Sequence, residues 1–322
     1  MICDHQLTIR GLRINAQSAG EGVPILLHSG IFSEMRHWGP LVEHLHGFRV
    51  ITYDAPGIGS SQVPSSPMSM RGLADIGAGI LDRLGVGSAH VLGVSFGGAV
   101  AQQMALSHPG RVDKLVLAST SVGGPAMPGR PSALLHMMHP RGYHPDRLAR
   151  SAGAMFGGRM RTEPELAAGL KMTKPGSLRA AAFRLSALAG WTSLHRLPSI
   201  RHETLVLCGD DDPVTPHVNH RLMARLIPSA RLHTVEGGGH LVLLDSAHKV
   251  GPLITAFLRG GHERMELKAA CEVASSMMPA RAASRACEGR DALPDVRPPG
   301  RLDGAAGSCL ASAPALLTTP RD

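Results

Sequence analysis

The sequence predicts an α/β fold: a mostly parallel sheet flanked by helices, with a helical cap inserted late in the sheet. Three observations carry that expectation. Short apolar runs of buried-strand type alternate with segments whose apolar residues recur at helical spacing. One such run, Val91-Leu92-Gly93-Val94, ends in a serine boxed by glycines, Ser95-Phe96-Gly97-Gly98. The alternation then stops between Val122 and about Ile200 and resumes afterwards.

At 322 residues and 43% hydrophobic, the chain can bury a large core. No apolar run approaches the ~20 residues a helix needs to cross a bilayer, and the first residues lack the basic and apolar regions of a signal peptide. A cytoplasmic protein is therefore expected. Cys3, Cys208, Cys271, Cys287 and Cys309 show no C-x-x-C spacing, which argues against a disulfide framework or a zinc site. The net charge of +8 comes mainly from scattered arginine, with no basic block and no interleaved aromatics. That pattern reads as solvated basic surface, and no nucleic-acid partner is expected.

Leu7 to Ile9 and Leu12 to Ala16 form an expected opening hairpin, and Val23 to His28 is a run of buried-strand type. It leads into Ser29-Gly30-Ile31-Phe32, a small loop that can aim the Ile31 N–H at a neighbouring site. A short helix over His37 to Leu45 and a strand over Arg49 to Tyr53 follow. The next loop, Asp54-Ala55-Pro56-Gly57-Ile58-Gly59-Ser60-Ser61, is not a phosphate cradle. It has no third glycine at dinucleotide spacing and no Lys-Ser/Thr ending, and Pro56 removes a donor. Leu73, Ile76, Ile80, Leu81 and Leu84 predict a helix with one buried face before the strand Ala89 to Val94. Phe96 to His108 can form a helix that stops before Pro109, and Lys114 to Ser119 is the following strand.

From Val122 to Ile200 no strand is expected, and the segment reads as helices and loops lying over the serine. Met127, Met137, Met138, Met155, Met160 and Met172 would give it an adaptable apolar lining, although helix packing would use methionine equally well. Strands at Thr204 to Cys208 and Arg231 to Val235 then flank a helix near Val218 to Leu226, and a last helix covers His248 to Leu258. The expected division is a sheet domain in two parts, 1–121 and 201–261, a cap over 122–200, and a tail over 262–322. The tail's Ala, Arg, Pro, Gly and Ser composition, without sustained periodicity, predicts disorder.

The serine in its glycine box reads as a nucleophile elbow, in which a strand turns abruptly into a helix and leaves one hydroxyl standing clear of the sheet. A serine hydroxyl is a poor nucleophile until a histidine takes its proton, and the histidine needs a carboxylate to hold its tautomer. The chain supplies Ser95, then Asp212 after the next-to-last strand, then His240 after the last. This is the α/β-hydrolase order, and it puts all three at the carboxyl edge of one sheet. Asp212 is preferred to Asp210 and Asp211 because the Asp212-Pro213 pair ends the strand where the loop turns. Gly237, Gly238 and Gly239 leave the backbone free to deliver the imidazole. The N–H groups of Ile31 and Phe96 are the expected oxyanion donors, and the chemistry calls for no metal and no organic cofactor.

From about Pro24 to Leu258 the chain resembles the intracellular poly(3-hydroxyalkanoate) depolymerases of the α/β-hydrolase superfamily. The resemblance rests on Asp54 to Gly59, Leu92 to Gly98, Gly209-Asp210-Asp211-Asp212-Pro213 and Gly238-Gly239-His240-Leu241. It rests also on two cap stretches, Pro128-Gly129-Arg130-Pro131 and Leu188-Ala189-Gly190-Trp191-Thr192-Ser193, which are more specific to the family than the elbow. It implies Ser95 as nucleophile, Asp212 as acid and His240 as base. It also implies a polyester of medium-chain 3-hydroxy acids as substrate, met at the surface of storage granules. Phe96 departs from the family's Trp and Phe32 from the glycine usual in its oxyanion loop. A small-molecule carboxylesterase or lactonase would share every one of these residues, and a non-catalytic granule-surface protein is the remaining alternative.

Overall fold

In the computed structural model eight strands form one sheet, in the spatial order Ile2–Ile9, Leu12–Ala19, Phe48–Tyr53, Val23–His28, Ala89–Val94, Val112–Ala118, Thr204–Gly209 and Ala230–Val235. Residues 2–139, 145–163, 165–166 and 178–260 are described; Met172 and the tail over 262–322 lie outside the described residues. β1 (Ile2–Ile9) and β2 (Leu12–Ala19) form an antiparallel hairpin. Its turn, Arg10-Gly11, has positive φ at both residues, the backbone twist that a two-residue hairpin favours. β2 pairs antiparallel with β4 (Phe48–Tyr53). From there β3 (Val23–His28), β5 (Ala89–Val94), β6 (Val112–Ala118), β7 (Thr204–Gly209) and β8 (Ala230–Val235) run parallel.

The apolar runs in these strands follow from a sheet buried on both faces, since successive side chains point to opposite sides. Leu26, Val91, Leu115, Leu117 and Val206 pack into one layer, beneath α2 (Met70–Arg83) and α3 (Phe96–Ser107). Ile25, Leu27, Leu92, Val116, Leu205 and Leu207 pack into the other, against Ile254 and Phe257 of the last helix. Each such side chain contributes about 1.5–3 kcal/mol on burial, so both layers are needed to hold the strand ends in place.

One expected element differs. In place of a helix over His37 to Leu45 there is a 3-10 turn at Met35–Trp38 followed by the one-turn α1 (Gly39–Val42), because Gly39 and Pro40 interrupt the helix. The other expected strands and helices are present with ends shifted by a few residues. After β8 a short helix at Val242–Asp245 precedes the expected last helix, which begins at Ala247.

Between β6 and β7 the described residues form α4 (Pro131–Met138), α5 (Pro145–Phe156), α6 (Arg159–Thr162) and α7 (Leu178–Leu188). An isolated bridge between Gly123 and Thr192 closes the segment. Its far end is fastened to α3: the Trp191 indole N–H donates to Gln103 at 2.9 Å and the Ser193 hydroxyl to Gln102 at 2.6 Å. Among the described residues no helix is long and apolar enough to cross a membrane.

Candidate active site

Ser95 sits between β5 and α3 with φ 54° and ψ −119°, a left-handed conformation that costs a non-glycine residue about 1–3 kcal/mol. Its neighbours explain the glycine box. A Cβ on Gly97 would lie 2.0 Å from the His28 carbonyl oxygen, and one on Gly93 would lie 2.2 Å from the carbonyl of Gly97 itself. The strained turn is held on both sides. The Ser95 N–H donates to Ala118 at 2.9 Å, and the Ser95 carbonyl accepts from the Thr120 hydroxyl at 2.7 Å and from the Gly98 N–H at 3.0 Å.

The three residues picked out by order meet. His240 Nε2 lies 3.0 Å from Ser95 Oγ, and His240 Nδ1 lies 2.9 Å from Asp212 Oδ2. With Nδ1–H donating to the carboxylate, Nε2 is left as the acceptor facing the serine hydroxyl. The Asp212 side chain is fully buried and accepts further from the N–H groups of Val214 (2.8 Å) and Thr215 (2.9 Å) and from the Thr215 hydroxyl (2.5 Å). Burial pushes its pKa up, but His240 beside it and the Thr215 donors outweigh that and hold the carboxyl below the ordinary carboxylate range.

Asp211 points elsewhere. It pairs with the Arg161 guanidinium at 2.6 Å and accepts the Gly158 N–H at 2.9 Å, so it ties the loop to the inserted segment. Of the glycines before His240, Gly237 supplies backbone freedom, with φ 63° and open space where a Cβ would stand, and Gly239 serves close approach. The His240 N–H donates to the Phe156 carbonyl at 2.7 Å, and a Cβ on Gly239 would sit 2.4 Å from that same oxygen. The Asp54 loop closes on its own carboxylate, which accepts from Asn15, Met35 and Ser60.

Two apolar cavities meet at Ser95. One, of about 60 Å³, lies on the His240 side between Trp38, Phe156 and Leu244. The other, of about 280 Å³, lies beneath α4 and α7, with Phe96, Met127, Leu134 and Leu188 in its wall. Ile31, Phe32 and Met137 line both. The methionines therefore divide: Met127 and Met137 face the cavities, whereas Met155 and Met160 are packed in a buried cluster with Phe32 and Phe156.

The model of the alpha/beta hydrolase family matches residues 25–252. The chain belongs to that family. It is 42% identical over 244 residues to a poly(3-hydroxyalkanoate) depolymerase of Ectopseudomonas oleovorans, spanning 75% of this chain and 86% of that protein. Among solved structures it is similar to a thermophilic esterase from Thermogutta terrifontis, at 26% identity and a TM-score of 0.66, covering 81% of this chain and 99% of that one. The fold is also that of the enol-lactonase from Burkholderia xenovorans LB400, with a TM-score of 0.69 at 24% identity, over 79% of this chain and 100% of that one.

In this alpha/beta hydrolase the supports of the site are what sequence reasoning missed. Thr215 lies three residues past Asp212, where a side-chain oxygen can reach back, and that spacing is a readable signal. Thr120 and His220 give none. The Thr120 N–H donates to His220 Nε2 at 3.0 Å, and the Thr120 hydroxyl holds the Ser95 carbonyl, so a buried neutral histidine underlies the elbow.

Burial pushes the His220 pKa down from 6.5 to about 4. Between those values the unfolded chain binds a proton that the native chain does not, so stability falls as pH drops through this window. The slope is up to about 1.4 kcal/mol per pH unit. His220→Gln keeps an acceptor for the Thr120 N–H without a titrating ring, and urea unfolding between about pH 7 and pH 5 should show a shallower loss of stability. An equal slope in the two proteins would mean that His220 takes up its proton in the fold.

Proposed function

We propose that this chain is a serine hydrolase acting on the ester bonds of medium-chain-length poly(3-hydroxyalkanoate), releasing 3-hydroxy acids at the surface of polymer granules. The observation that carries the reading is the meeting at Ser95 of the His240–Asp212 relay with an apolar cavity on either side. A polyester strand extends in both directions from the bond to be cut and carries apolar side chains along its length. The likeness to the Ectopseudomonas oleovorans depolymerase supports the polymer as substrate.

Ser95 Oγ attacks the ester carbonyl while His240 Nε2 takes its proton, and Asp212 stabilises the imidazolium that results. The oxyanion falls to the N–H groups of Ile31 and Phe96. The Phe96 group opens α3, where the first amides of a helix lack partners within it. Each oxyanion donor is worth about 10²–10³ in kcat. As the tetrahedral intermediate collapses, the His240 imidazolium gives its proton to the departing alkoxide oxygen of the next unit, and water, deprotonated by His240, then releases the acid from Ser95. Phe32 and Phe96, the two departures from the family pattern, both wall the larger cavity and so shape the acyl site.

The decisive assay incubates the purified protein with amorphous granules of poly(3-hydroxyoctanoate) and of poly(3-hydroxybutyrate), and with a soluble p-nitrophenyl ester. Release of 3-hydroxyoctanoate well above 3-hydroxybutyrate, with fluorophosphonate labelling confined to Ser95, is the expected result. Turnover of the soluble ester alone would replace this reading with that of a small-molecule esterase or lactonase.

A further inference from the structure

Met127, Leu134, Leu135 and Val218 are 57%, 37%, 72% and 50% exposed, an unusual concentration of large apolar side chains in water. They belong to two segments that meet at the larger cavity. Met127 and Leu134 reach into the wall of the larger cavity and also face solvent, which puts them at its mouth. Leu135 follows Leu134 on α4. Val218 precedes Asn219, whose side-chain amide accepts from the Met127 N–H at 2.9 Å and donates to its carbonyl at 2.8 Å. Val218 is part of α8 (His217–Leu226). The mouth is thus flanked by an exposed apolar side chain on each of two elements that hydrogen bonds and cavity wall join together.

The two segments that form it carry charge of one sign, and the nearest partly exposed acid in sequence, Asp211, is paired with Arg161. The segments 126–138 and 213–225 contain no Asp or Glu, and they carry Arg130, Arg221 and Arg225, all exposed. Val218, Arg221 and Arg225 are spaced at helical intervals, so they share a face of α8. An apolar collar edged with guanidinium groups suits a surface that is itself apolar, rich in ester carbonyl acceptors and negative at its chain ends. A polyester of hydroxy acids has that chemistry, each chain ending in a carboxylate.

We propose that this collar is the face by which the enzyme docks on its insoluble polymer, seating the mouth of the larger cavity directly on the phase from which a strand must be drawn. The inference rests on the polyester reading and adds to it the surface that meets the granule. Docking here lets a strand pass from the polymer to Ser95 without crossing water, so the apolar area of the collar and that of the cavity act in series.

Leu135 and Val218 are outside the cavity wall, and their replacement separates docking from chemistry. Leu135→Asp with Val218→Asp should lower the partition of the enzyme onto poly(3-hydroxyoctanoate) granules at least tenfold in a sedimentation assay. Granule hydrolysis should fall in proportion, while kcat/KM on a soluble p-nitrophenyl ester stays within twofold and the melting temperature within a few degrees. Each single variant should show an intermediate loss. Val23→Asp, at an exposed apolar position that opens β3 at the end of the sheet away from Ser95, should bind granules as the wild type does.

Binding is measured in the Ser95→Ala background as well, so that turnover does not erode the surface. If the wild type degrades granules and the double variant binds and degrades them equally, the docking face is wrong and the polyester reading stands. If the wild type cleaves the soluble ester but neither binds nor degrades granules, the polyester reading falls and the docking face with it. A wild type that sediments as a dimer and a double variant that sediments as a monomer would assign the collar to a second copy of the chain and overturn the proposal.

Discussion

Ser95→Ala and His240→Ala should each lower kcat by about 10⁵–10⁶-fold, leaving a residual ~10³–10⁴-fold over water from oxyanion and binding effects. The two losses should be nearly equal and far from additive, because in the proposed mechanism the hydroxyl and the imidazole 3.0 Å from it share one proton transfer. Asp212→Asn should cost about 10⁴-fold, since an amide facing Nδ1 favours the wrong tautomer and no longer stabilises the imidazolium. Asp211→Asn is the informative control. Its carboxylate is committed to Arg161 and to the Gly158 N–H, and an exposed pair of that kind is worth about 0–1 kcal/mol, so the loss should be within about tenfold. Steady-state kinetics on a soluble ester measures all four. An Asp211 variant more damaged than the Asp212 variant would reassign the acid.

The legible part of this molecule was the part fixed by local chemistry. A strand covered on both faces must be apolar at consecutive positions, so β3, β5 and β7 stood out as runs. The elbow was legible because two backbones approach too closely at Gly93 and Gly97 for any side chain, and only glycine satisfies that wherever the rest of the chain runs. Ser95, Asp212 and His240 could be ordered from sequence because each leaves the end of a strand in one parallel sheet.

What was not legible depends on contacts between distant segments. His220 has an ordinary place in a helix, and only the fold puts its Nε2 against Thr120, a hundred residues away in sequence. Gly157 and Gly158 lie in the segment between β6 and β7, without a recognisable motif. They are glycines because this segment runs against the loops that carry Asp211 and His240: a Cβ on Gly157 would meet the Asp211 carbonyl at 2.0 Å, and one on Gly158 the Gly239 nitrogen at 2.2 Å. The two roles of the methionines between β6 and β7 were undecidable for the same reason, since lining a cavity and packing a helix require the same apolar, flexible side chain.

The cavity beneath α4 and α7 makes specificity the second large effect to expect. If acyl chains fill it, each added methylene should gain about 0.8 kcal/mol until the space is full, or roughly tenfold for every two methylenes. From acetate to octanoate the six added methylenes would give up to about 10³-fold in kcat/KM. The gain should then flatten once the chain reaches the exposed mouth at Met127 and Leu134, where a further methylene is only partly removed from water. A short-chain esterase predicts the opposite slope, because a tight pocket rejects the longer acyl group. Leu188→Phe, which fills the wall from the α7 side, should move the plateau to shorter chains and leave the acetate rate within a few fold. Measuring kcat/KM on p-nitrophenyl esters of increasing chain length separates the two accounts. A maximum at acetate or propionate in the wild type would remove the medium-chain polyester from consideration while leaving Ser95, Asp212 and His240 in their roles.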